Sequence, residues 1–167
     1  MIRLLNLLRE NIEILGLEAI RNWVVDDYNP VGFGYNPDAD IKSLLEALKS
    51  EVYRGKIYRA VNVPKDVTDV KDYIWNKSKD RYASFSDDLK GVEYYLPYLE
   101  DDESKTVIIS QVSHYYSLSE WYNHNYDKLQ ELYKSDPDTY WWIDNNLPEV
   151  SNTGEAVAKL SDNFEIV

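Results

Sequence analysis

The sequence predicts an α+β fold, because a helical first third is followed by segments that alternate between strand-like and helix-like patterns. Residues 2–25 carry apolar side chains near helical spacing, and residues 105–112 form a short run rich in Val and Ile. The 167 residues, 44% of them apolar, suit one domain with a buried core. We therefore expect a single domain, with a helical part over residues 1–50 and the functional core over residues 51–167.

The first part of the chain is predicted to hold three helices and a loop. The apolar spacing of the opening segment breaks at Gly16, which divides it into two helices. Residues 26–37 are rich in Asp, Asn, Gly and Pro, which is typical of a loop. Asp38 or Asp40 then caps a third helix, which is expected to run to about Lys49.

The middle of the chain alternates between strand and helix. Residues 51–63 are rich in Val, Ile and Tyr and predict one or two strands. Residues 67–77 predict a short helix that buries either Ile74 or Trp75. Residues 81–86 predict another strand, so the sheet is interrupted by helices.

A helix and a strand are predicted next. Ser86 or Asp87 can cap a helix that is expected to end near Pro97. Residues 105–112 form the clearest strand of the chain, and their apolar run indicates burial on both faces.

The last third is predicted to hold a helix and two closing strands. Residues 117–133 have a helical pattern, with Ser117 or Ser119 as the cap. Residues 155–160 and 163–167 predict two strands joined by a short turn.

Charge and composition exclude several kinds of site. The formal net charge is −12, so binding to exposed phosphate backbone is not expected, because that affinity comes mainly from Lys and Arg. The absence of cysteine excludes disulfides, thiolate metal sites and cysteine nucleophiles. The first ten residues are too charged for a signal peptide and no apolar run reaches membrane-spanning length, so we expect a cytoplasmic protein without a membrane partner.

Three strand-like segments place polar side chains among apolar neighbours in a fixed order along the chain. They are Tyr58-Arg59-Ala60-Val61, Ser84-Phe85-Ser86 and Gly154-Glu155. In that order they resemble the Arg, Ser-x-Ser and Glu signature of the mono-ADP-ribosyltransferases, which use NAD. The resemblance covers the last two thirds of the chain. It implies two small mixed or antiparallel sheets around an NAD cleft, with helices at the N-terminus, in a bacteriophage or bacterial member of the family.

The resemblance assigns the cofactor arginine to the first of these segments. Arg59 would anchor the NAD phosphates, which suits the planar fork of a guanidinium. Ala60 stands where the family more often has glycine, and its backbone would hold the nicotinamide amide. Arg54, followed by Gly55, is the alternative cofactor arginine, although it lies further from a strand end.

The resemblance also assigns the remaining site residues. Ser84 would orient the catalytic carboxylate and brace the nicotinamide ribose, and Ser86 belongs to the same cofactor-binding segment. Tyr94 or Tyr95, on the following helix, would form a wall for the nicotinamide ring. Glu155 would be the catalytic residue, since a fixed anion stabilises the positive charge that develops on the ribose.

The end of the chain resembles the closing hairpin of the family. Aligning Phe164 with the family's aromatic residue puts Glu155 at the catalytic position. Arginine-modifying members carry a second Glu or Gln two residues earlier, where this chain has Thr153. Glu149 is too far back to take that place, so arginine is not the expected acceptor.

An aromatic insertion is predicted over about residues 114–147. It includes a second helix from Asp136, since the following proline favours a first helical turn. Its aromatic side chains could form a docking face or pack in the core: Tyr115, Tyr116, Trp121, Tyr122, Tyr126, Tyr133, Tyr140, Trp141 and Trp142. His114 and His124 lie in the same region and receive no catalytic role.

The resemblance implies transfer of ADP-ribose from NAD to a macromolecular acceptor, with no metal required. The acceptor is expected to be a protein, and a basic or nucleic-acid-binding host protein suits the negative charge. Hydrolysis of NAD would use the same groups with water as the acceptor. A second class of function is an acidic inhibitor without chemistry, which mimics DNA phosphates, although the acidic residues are scattered through caps and turns.

Overall fold

The computed structural model describes residues 16–26, 41–99, 102–133, 145 and 148–167. Its helices are α1 (Leu17–Asp26), α2 (Ile41–Ala47), α3 (Val70–Ser78), α4 (Leu89–Leu99) and α5 (Leu118–Tyr133). Its strands are β1 (Val52–Pro64), β2 (Tyr82–Ser86), β3 (Ser104–Ser117), β4 (Glu155–Lys159) and β5 (Glu165–Ile166). The predicted α+β class is confirmed. None of these described helices has the length and apolar character needed to cross a membrane.

Within the described residues the predicted helices and strands are present, although several of their ends differ. Residues 52–64 form one strand, β1, where the sequence predicts one or two strands over residues 51–63. Of the two candidates for burial on α3, Ile74 is fully buried whereas Trp75 is half-buried. α4 ends at Leu99, close to Pro97, near which it was expected to end.

Several predictions fall outside the described residues. They concern the helix before Gly16, the loop at 26–37 beyond its first residue, the cap at Asp38 or Asp40, and the aromatic helix from Asp136.

The five strands form one connected antiparallel sheet in the order β1-β2-β4-β3-β5, with a further pairing of β1 with β3. β1 and β3 pair from Val52 opposite Tyr116 to Pro64 opposite Ser104. The pairings of β1, β2, β4 and β3 therefore close a ring. The prediction of two small sheets is wrong for the described strands. The 14-residue β3 is long enough to pair with β1 on one edge and with both β5 and β4 on the other.

The two closing strands do not form the hairpin that the sequence predicts. β5 pairs with β3 at Ile109, whereas β4 pairs with β3 further along, at Ser117. Gln111 lies between these places, where its side chain donates to the carbonyl of Lys159 and accepts from the backbone N–H of Ser161, both at 2.8 Å. β4 and β5 therefore both pair with β3. The buried side-chain amide of Gln111 provides hydrogen-bond partners for the backbone of the turn that connects them.

β3 is longer than predicted, and this moves the start of the aromatic insertion. Tyr115 and Tyr116 are strand residues that pair with β1, so the insertion does not begin at residue 114. β-strands favour tyrosine, and the partner residues on β1 extend the ladder. Ser117 ends the strand and caps α5, since its Oγ accepts the backbone N–H of Glu120 at 3.1 Å.

β4 separates two hydrophobic clusters, one on each face. Val157 faces the first, which we call the helical cluster because α1, α2 and α5 contribute to it, including the fully buried Ile20 and Leu118. Ala156 and Ala158 face the second, the strand cluster, which is formed mainly by strand residues and α3. Burial on both faces explains why residues 156–158, in the middle of this strand, are all apolar.

Candidate active site

The strand register places the predicted serines and the predicted glutamate on one face of the sheet. Ser86 lies opposite Glu155, and Ser84 lies opposite Val157. Directly opposed residues of an antiparallel pair point to the same face, and so do alternate residues along each strand. These four side chains therefore lie on the side of the sheet where the helical cluster packs.

The carboxylate of Glu155 accepts two hydrogen bonds on the same oxygen. The hydroxyl of Ser84 donates to Oε1 at 3.0 Å, and the indole Nε1–H of Trp23 donates to Oε1 at 3.1 Å. Glu155 and Ser84 are half-buried, whereas Trp23 is only 1% exposed. The structure thus brings the two residues of the Ser and Glu segments together, 71 positions apart in sequence.

Arg59 also contacts this group, but it does so through the backbone. Its Nη1 donates to the carbonyl oxygen of Ser84, and its guanidinium carbon lies 5.9 Å from the centre of the Phe85 ring. Arg59 lies two residues from both Ile57 and Val61 on β1, so its side chain is on the same face as theirs, which is the face of the strand cluster. Its side chain therefore leaves β1 on the face opposite to that of Glu155, and it braces the serine segment from that side.

The other residues predicted on β1 lie away from the carboxylate. Ala60 is half-buried and lies opposite Ile108 in the ladder with β3. Arg54 is exposed and lies opposite His114. Arg54 lies four positions before Tyr58, the residue of β1 that pairs with β2, which corresponds to about 13 Å along the strand.

Ser86 is bonded to backbone rather than to Glu155. Its buried Oγ donates to the carbonyl oxygen of Thr153 at 2.6 Å and accepts the backbone N–H of Asp88 at 3.0 Å. These bonds join the end of β2 to the start of α4 and to the segment that leads into β4. The second serine of the motif therefore fixes the backbone around the site.

Two glycines allow close packing next to Glu155. A Cβ on Gly91 of α4 would lie 2.0 Å from the carbonyl oxygen of Thr153, a distance that no real side chain adopts. Gly154 has a φ of +62°, a left-handed conformation that glycine adopts without a steric penalty. Its carbonyl accepts the backbone N–H of Asp87 at 2.9 Å. The backbone before Glu155 is thus clamped between α4 and the end of β2.

The tyrosines predicted to flank nicotinamide lie on α4. Tyr94 is 52% exposed, so its ring is available to a ligand or to solvent on one side. Tyr95 belongs to the same helix, but its side chain lies outside the described part of the structure.

The surroundings of the site are negatively charged. Partial burial raises the pKa of Asp87, and the charges of Asp88 and Glu120 raise it further. Burial also raises the pKa of Tyr115, together with the charges of Asp87 and Glu120. Asp87 is exposed overall, but its Oδ1 packs closely against Gly154. This contact removes water from the carboxylate and so disfavours its charged form.

Thr153, which stands where the resemblance would place a second Glu or Gln, has a structural role. Thr153 is buried, and its hydroxyl donates to the carbonyl of Glu149 at 2.9 Å, one helical turn earlier. Glu149 itself is half-buried at that helical turn. Neither side chain has a hydrogen bond to Glu155 in the described contacts.

The two histidines differ in their surroundings. His124 on α5 lies 2.9 Å through Nδ1 from Oε1 of Glu51, and 3.8 Å through Nε2 from Oε2 of Glu120. A hydrogen bond and the charge of Glu51 raise the pKa of His124, and the charge of Glu120 adds to this. His114 is exposed on β3. Both lie away from the contacts of Glu155.

The aromatic residues of the insertion divide between the core and the surface. Trp121 and Tyr122 are buried in the helical cluster, whereas Tyr126 is exposed. Tyr115 stacks on Tyr53 of β1 with ring centres 6.1 Å apart. The aromatic residues from 140 to 142 lie outside the described segments.

Trp23 is the site residue that sequence reasoning missed. Its apolar spacing on the first helices predicted only core packing, which is correct for its ring. A buried tryptophan also needs an acceptor for its indole N–H, and that need was the available signal. Sequence alone gives no way to choose Glu155, 132 residues away, as the acceptor.

A scan against models of protein families, a search of curated proteins and a search of solved structures each found no match for this chain. Within the described residues, no group of three or more His, Asp or Glu side chains is placed to hold a metal ion. The geometry of Arg59, Ser84 and Glu155 therefore carries the functional argument by itself.

Proposed function

We propose that this chain transfers ADP-ribose from NAD to a protein acceptor and releases nicotinamide. The observation that carries the proposal is the 3.0 Å hydrogen bond from the hydroxyl of Ser84 to Glu155. The backbone carbonyl of the same serine accepts a hydrogen bond from Arg59. Segments far apart in sequence thus meet on three neighbouring strands, β1, β2 and β4. We also propose that this α+β arrangement is a version of the ADP-ribosyltransferase fold.

Glu155 has the chemistry that the reaction needs. Cleavage of the bond between nicotinamide and C1′ of the ribose develops positive charge on the ribose, and the acceptor nucleophile then bonds to C1′ and loses its proton. A fixed carboxylate beside the ribose stabilises that charge without having to reorganise. The bond from Ser84 would hold Glu155 in place for this purpose, since a hydrogen bond to a carboxylate both orients it and favours its ionised form.

Arg59 is the better candidate for the phosphate-binding cation. It already contacts the serine segment, whereas Arg54 lies on the exposed far end of β1. Because its side chain starts on the other face of the sheet, Arg59 and Glu155 would approach NAD from opposite sides of β2. Arg59→Ala should raise the KM for NAD at least about tenfold, the weight of one charge-assisted hydrogen bond. Arg54→Ala is the matched control, and a larger effect there would transfer the role to Arg54.

The acceptor is expected to be a basic protein. The net charge of −12 and the acidic side chains of Asp87, Asp88 and Glu120 near the site favour a positively charged partner. Arginine is not the expected modified residue, because Thr153 takes the place of the carboxylate or amide that arginine-modifying members carry.

The test is incubation of the purified chain with NAD labelled in its ADP-ribose part and a bacterial lysate. Wild type should label at least one discrete protein, whereas Glu155→Gln should not. Glu165→Gln is the matched control, because Glu165 is exposed on β5 and its substitution removes the same charge. Equal labelling by wild type and Glu155→Gln would refute the proposal.

Two other outcomes would replace the proposal with a different function. Release of nicotinamide that depends on Glu155, without a labelled acceptor, would indicate NAD hydrolysis with water as the acceptor. If wild type neither consumes NAD nor binds it in calorimetry, the acidic inhibitor becomes the better explanation of the net charge.

A further inference from the structure

We infer that Trp23 is a positioning residue for the reaction: its indole N–H orients the carboxylate of Glu155 from helix α1. The inference rests on the proposed function in so far as Glu155 is the catalytic carboxylate. It adds a residue from the N-terminal helical part, outside the three segments that resemble a known signature. The contact itself is the 3.1 Å hydrogen bond from Trp23 Nε1 to Glu155 Oε1.

The position of Trp23 is fixed by the packing of α1. Leu17, Ile20 and Trp23 are spaced along one face of this helix, and all three are buried in the helical cluster. The start of α1 is held close to α2, since a Cβ on Gly16 would lie 2.2 Å from the Cβ of Ala47. The indole therefore cannot turn away without disrupting this packing.

The position of Glu155 makes it the acceptor for this indole. Glu155 begins β4 and points to the same face as Val157, which packs in the same cluster as Trp23. The carboxylate lies where that apolar face meets the edge of the cluster, so it is half-buried. A helix of the N-terminal part thereby reaches the site that the sheet builds.

Two donors on one oxygen define the orientation of the carboxylate better than one. Ser84 approaches Oε1 from the neighbouring strand, and Trp23 approaches it from the helical layer. Ser84 can rotate its hydroxyl, whereas the indole N–H has a direction set by a rigid, buried ring. Both donors are neutral, so they favour the ionised carboxylate without cancelling the negative charge that the reaction needs.

The competing explanation is that Trp23 is only a core residue and that Glu155 merely satisfies its N–H. A comparison of Trp23→Phe with Trp121→Phe separates the two. Trp121 is buried in the same cluster, so the second substitution removes a similar amount of packing. Only the first removes a donor to Glu155.

For steady-state turnover of NAD, Trp23→Phe should lower kcat about 10- to 100-fold, the weight of one hydrogen bond to a charged group. The KM for NAD should change much less. The acid limb of the pH–rate profile should move to higher pH, because the carboxylate loses a donor that favours its ionised form. The same kcat and pH profile in Trp23→Phe and Trp121→Phe would overturn the inference.

A measurement that does not depend on turnover keeps the inference separate from the proposed function. The indole N–H resonance that disappears in Trp23→Phe should move in Glu155→Gln but not in Glu165→Gln. The titration midpoint of the Glu155 carboxyl, followed by carbon NMR, should rise in Trp23→Phe and stay in Trp121→Phe. An unmoved resonance or midpoint refutes the inference, whether or not the chain turns over NAD. Failure of NAD turnover with both shifts present refutes only the proposed function.

Discussion

Two glutamates of this chain stand at the start of a strand, and each accepts two side-chain hydrogen bonds. Glu155 begins β4 and is held by neutral donors, the hydroxyl of Ser84 and the indole of Trp23. Glu51 precedes β1 and is held by the hydroxyl of Tyr53 at 3.0 Å and by the imidazole of His124 at 2.9 Å. The described partners of the two carboxylates differ in their chemistry.

The two glutamates also differ in their burial and in the groups around them. Glu51 is only 6% exposed, and its backbone carbonyl accepts the N–H of Ser117 at 2.8 Å, so it ties the start of β1 to the start of α5. Glu155 is half-buried beside a serine that Arg59 braces. Glu51, buried and paired with a titrating imidazole, joins two elements of the fold. Glu155 is half-buried and accepts from two neutral donors, and it is the carboxylate to which the proposed function assigns the ligand.

The largest expected effect comes from the same substitution at both glutamates. Glu155→Gln should lower transferase activity at least about 100-fold, because the charge beside the ribose is lost. Glu51→Gln should instead lower the free energy of unfolding by about 1–3 kcal/mol, because Tyr53 and His124 lose their charged, buried acceptor. Activity of refolded protein and urea unfolding measure the two effects. Loss of activity in Glu51→Gln at unchanged stability would break the distinction.

The second effect concerns how tightly the backbone near each glutamate is packed. Gly91→Ala should lower the free energy of unfolding by about 1–3 kcal/mol, because the new Cβ would overlap the backbone of Thr153, next to the segment that carries Glu155. Gly55→Ala, in the strand that follows Glu51, is the matched control. A Cβ there meets only the ring of Tyr115, at an ordinary 3.7 Å. Equal urea midpoints for the two variants would show that the backbone before Glu155 is not clamped.

Much of the fold could be predicted from the sequence because its signals are local. The caps at Ser117 and the apolar spacing around Leu44 and Ile74 follow from neighbouring residues, and the corresponding helices are present. The sheet could not be predicted in the same way. β4 and β5 pair with β3 instead of with each other, and Gln111 of β3, about 50 residues earlier, is hydrogen-bonded to the turn between them.

The candidate site was likewise predicted only in part. Ser84 and Glu155 were predicted together through a resemblance in motif order, and the structure brings them into contact. The role of Trp23 and the backbone bonds of Ser86 depend on which side chains meet across the sheet. Such contacts have no signature in the residues near them, since any buried donor requires an acceptor but does not specify one.

The third effect separates the two serines of the motif. Ser84→Ala should lower kcat about tenfold with little change in stability, because one of two donors to Glu155 is lost. Ser86→Ala should lower the free energy of unfolding by about 1–3 kcal/mol, because the N–H of Asp88 and the carbonyl of Thr153 lose their partner. Turnover of NAD and thermal unfolding of both variants measure this. A stability loss in Ser84→Ala that equals that of Ser86→Ala would contradict it.

The smallest expected effect is a pH dependence at the tie between Glu51 and His124. The hydrogen bond and charge of Glu51 raise the pKa of His124 in the folded state, with Glu120 adding to the charge effect. The resulting stabilisation is complete below the unfolded value of about 6.5 and is lost as the pH rises through the folded pKa. The effect is small because 58% of the imidazole side chain is exposed to solvent.

Urea midpoints at closely spaced pH values from 6 to 9 test this, with His124→Gln and the exposed His114→Gln as a matched pair. Wild type and His114→Gln should lose stability as the pH rises, whereas His124→Gln should lose less. The NAD-dependent activity of His124→Gln should stay at the wild-type value at pH 7, because His124 lies away from Glu155. A pH dependence in His124→Gln as large as that of wild type would mean that His124 does not hold Glu51, which would leave Tyr53 as its partner. The two glutamates would then differ in burial but not in the kind of partner.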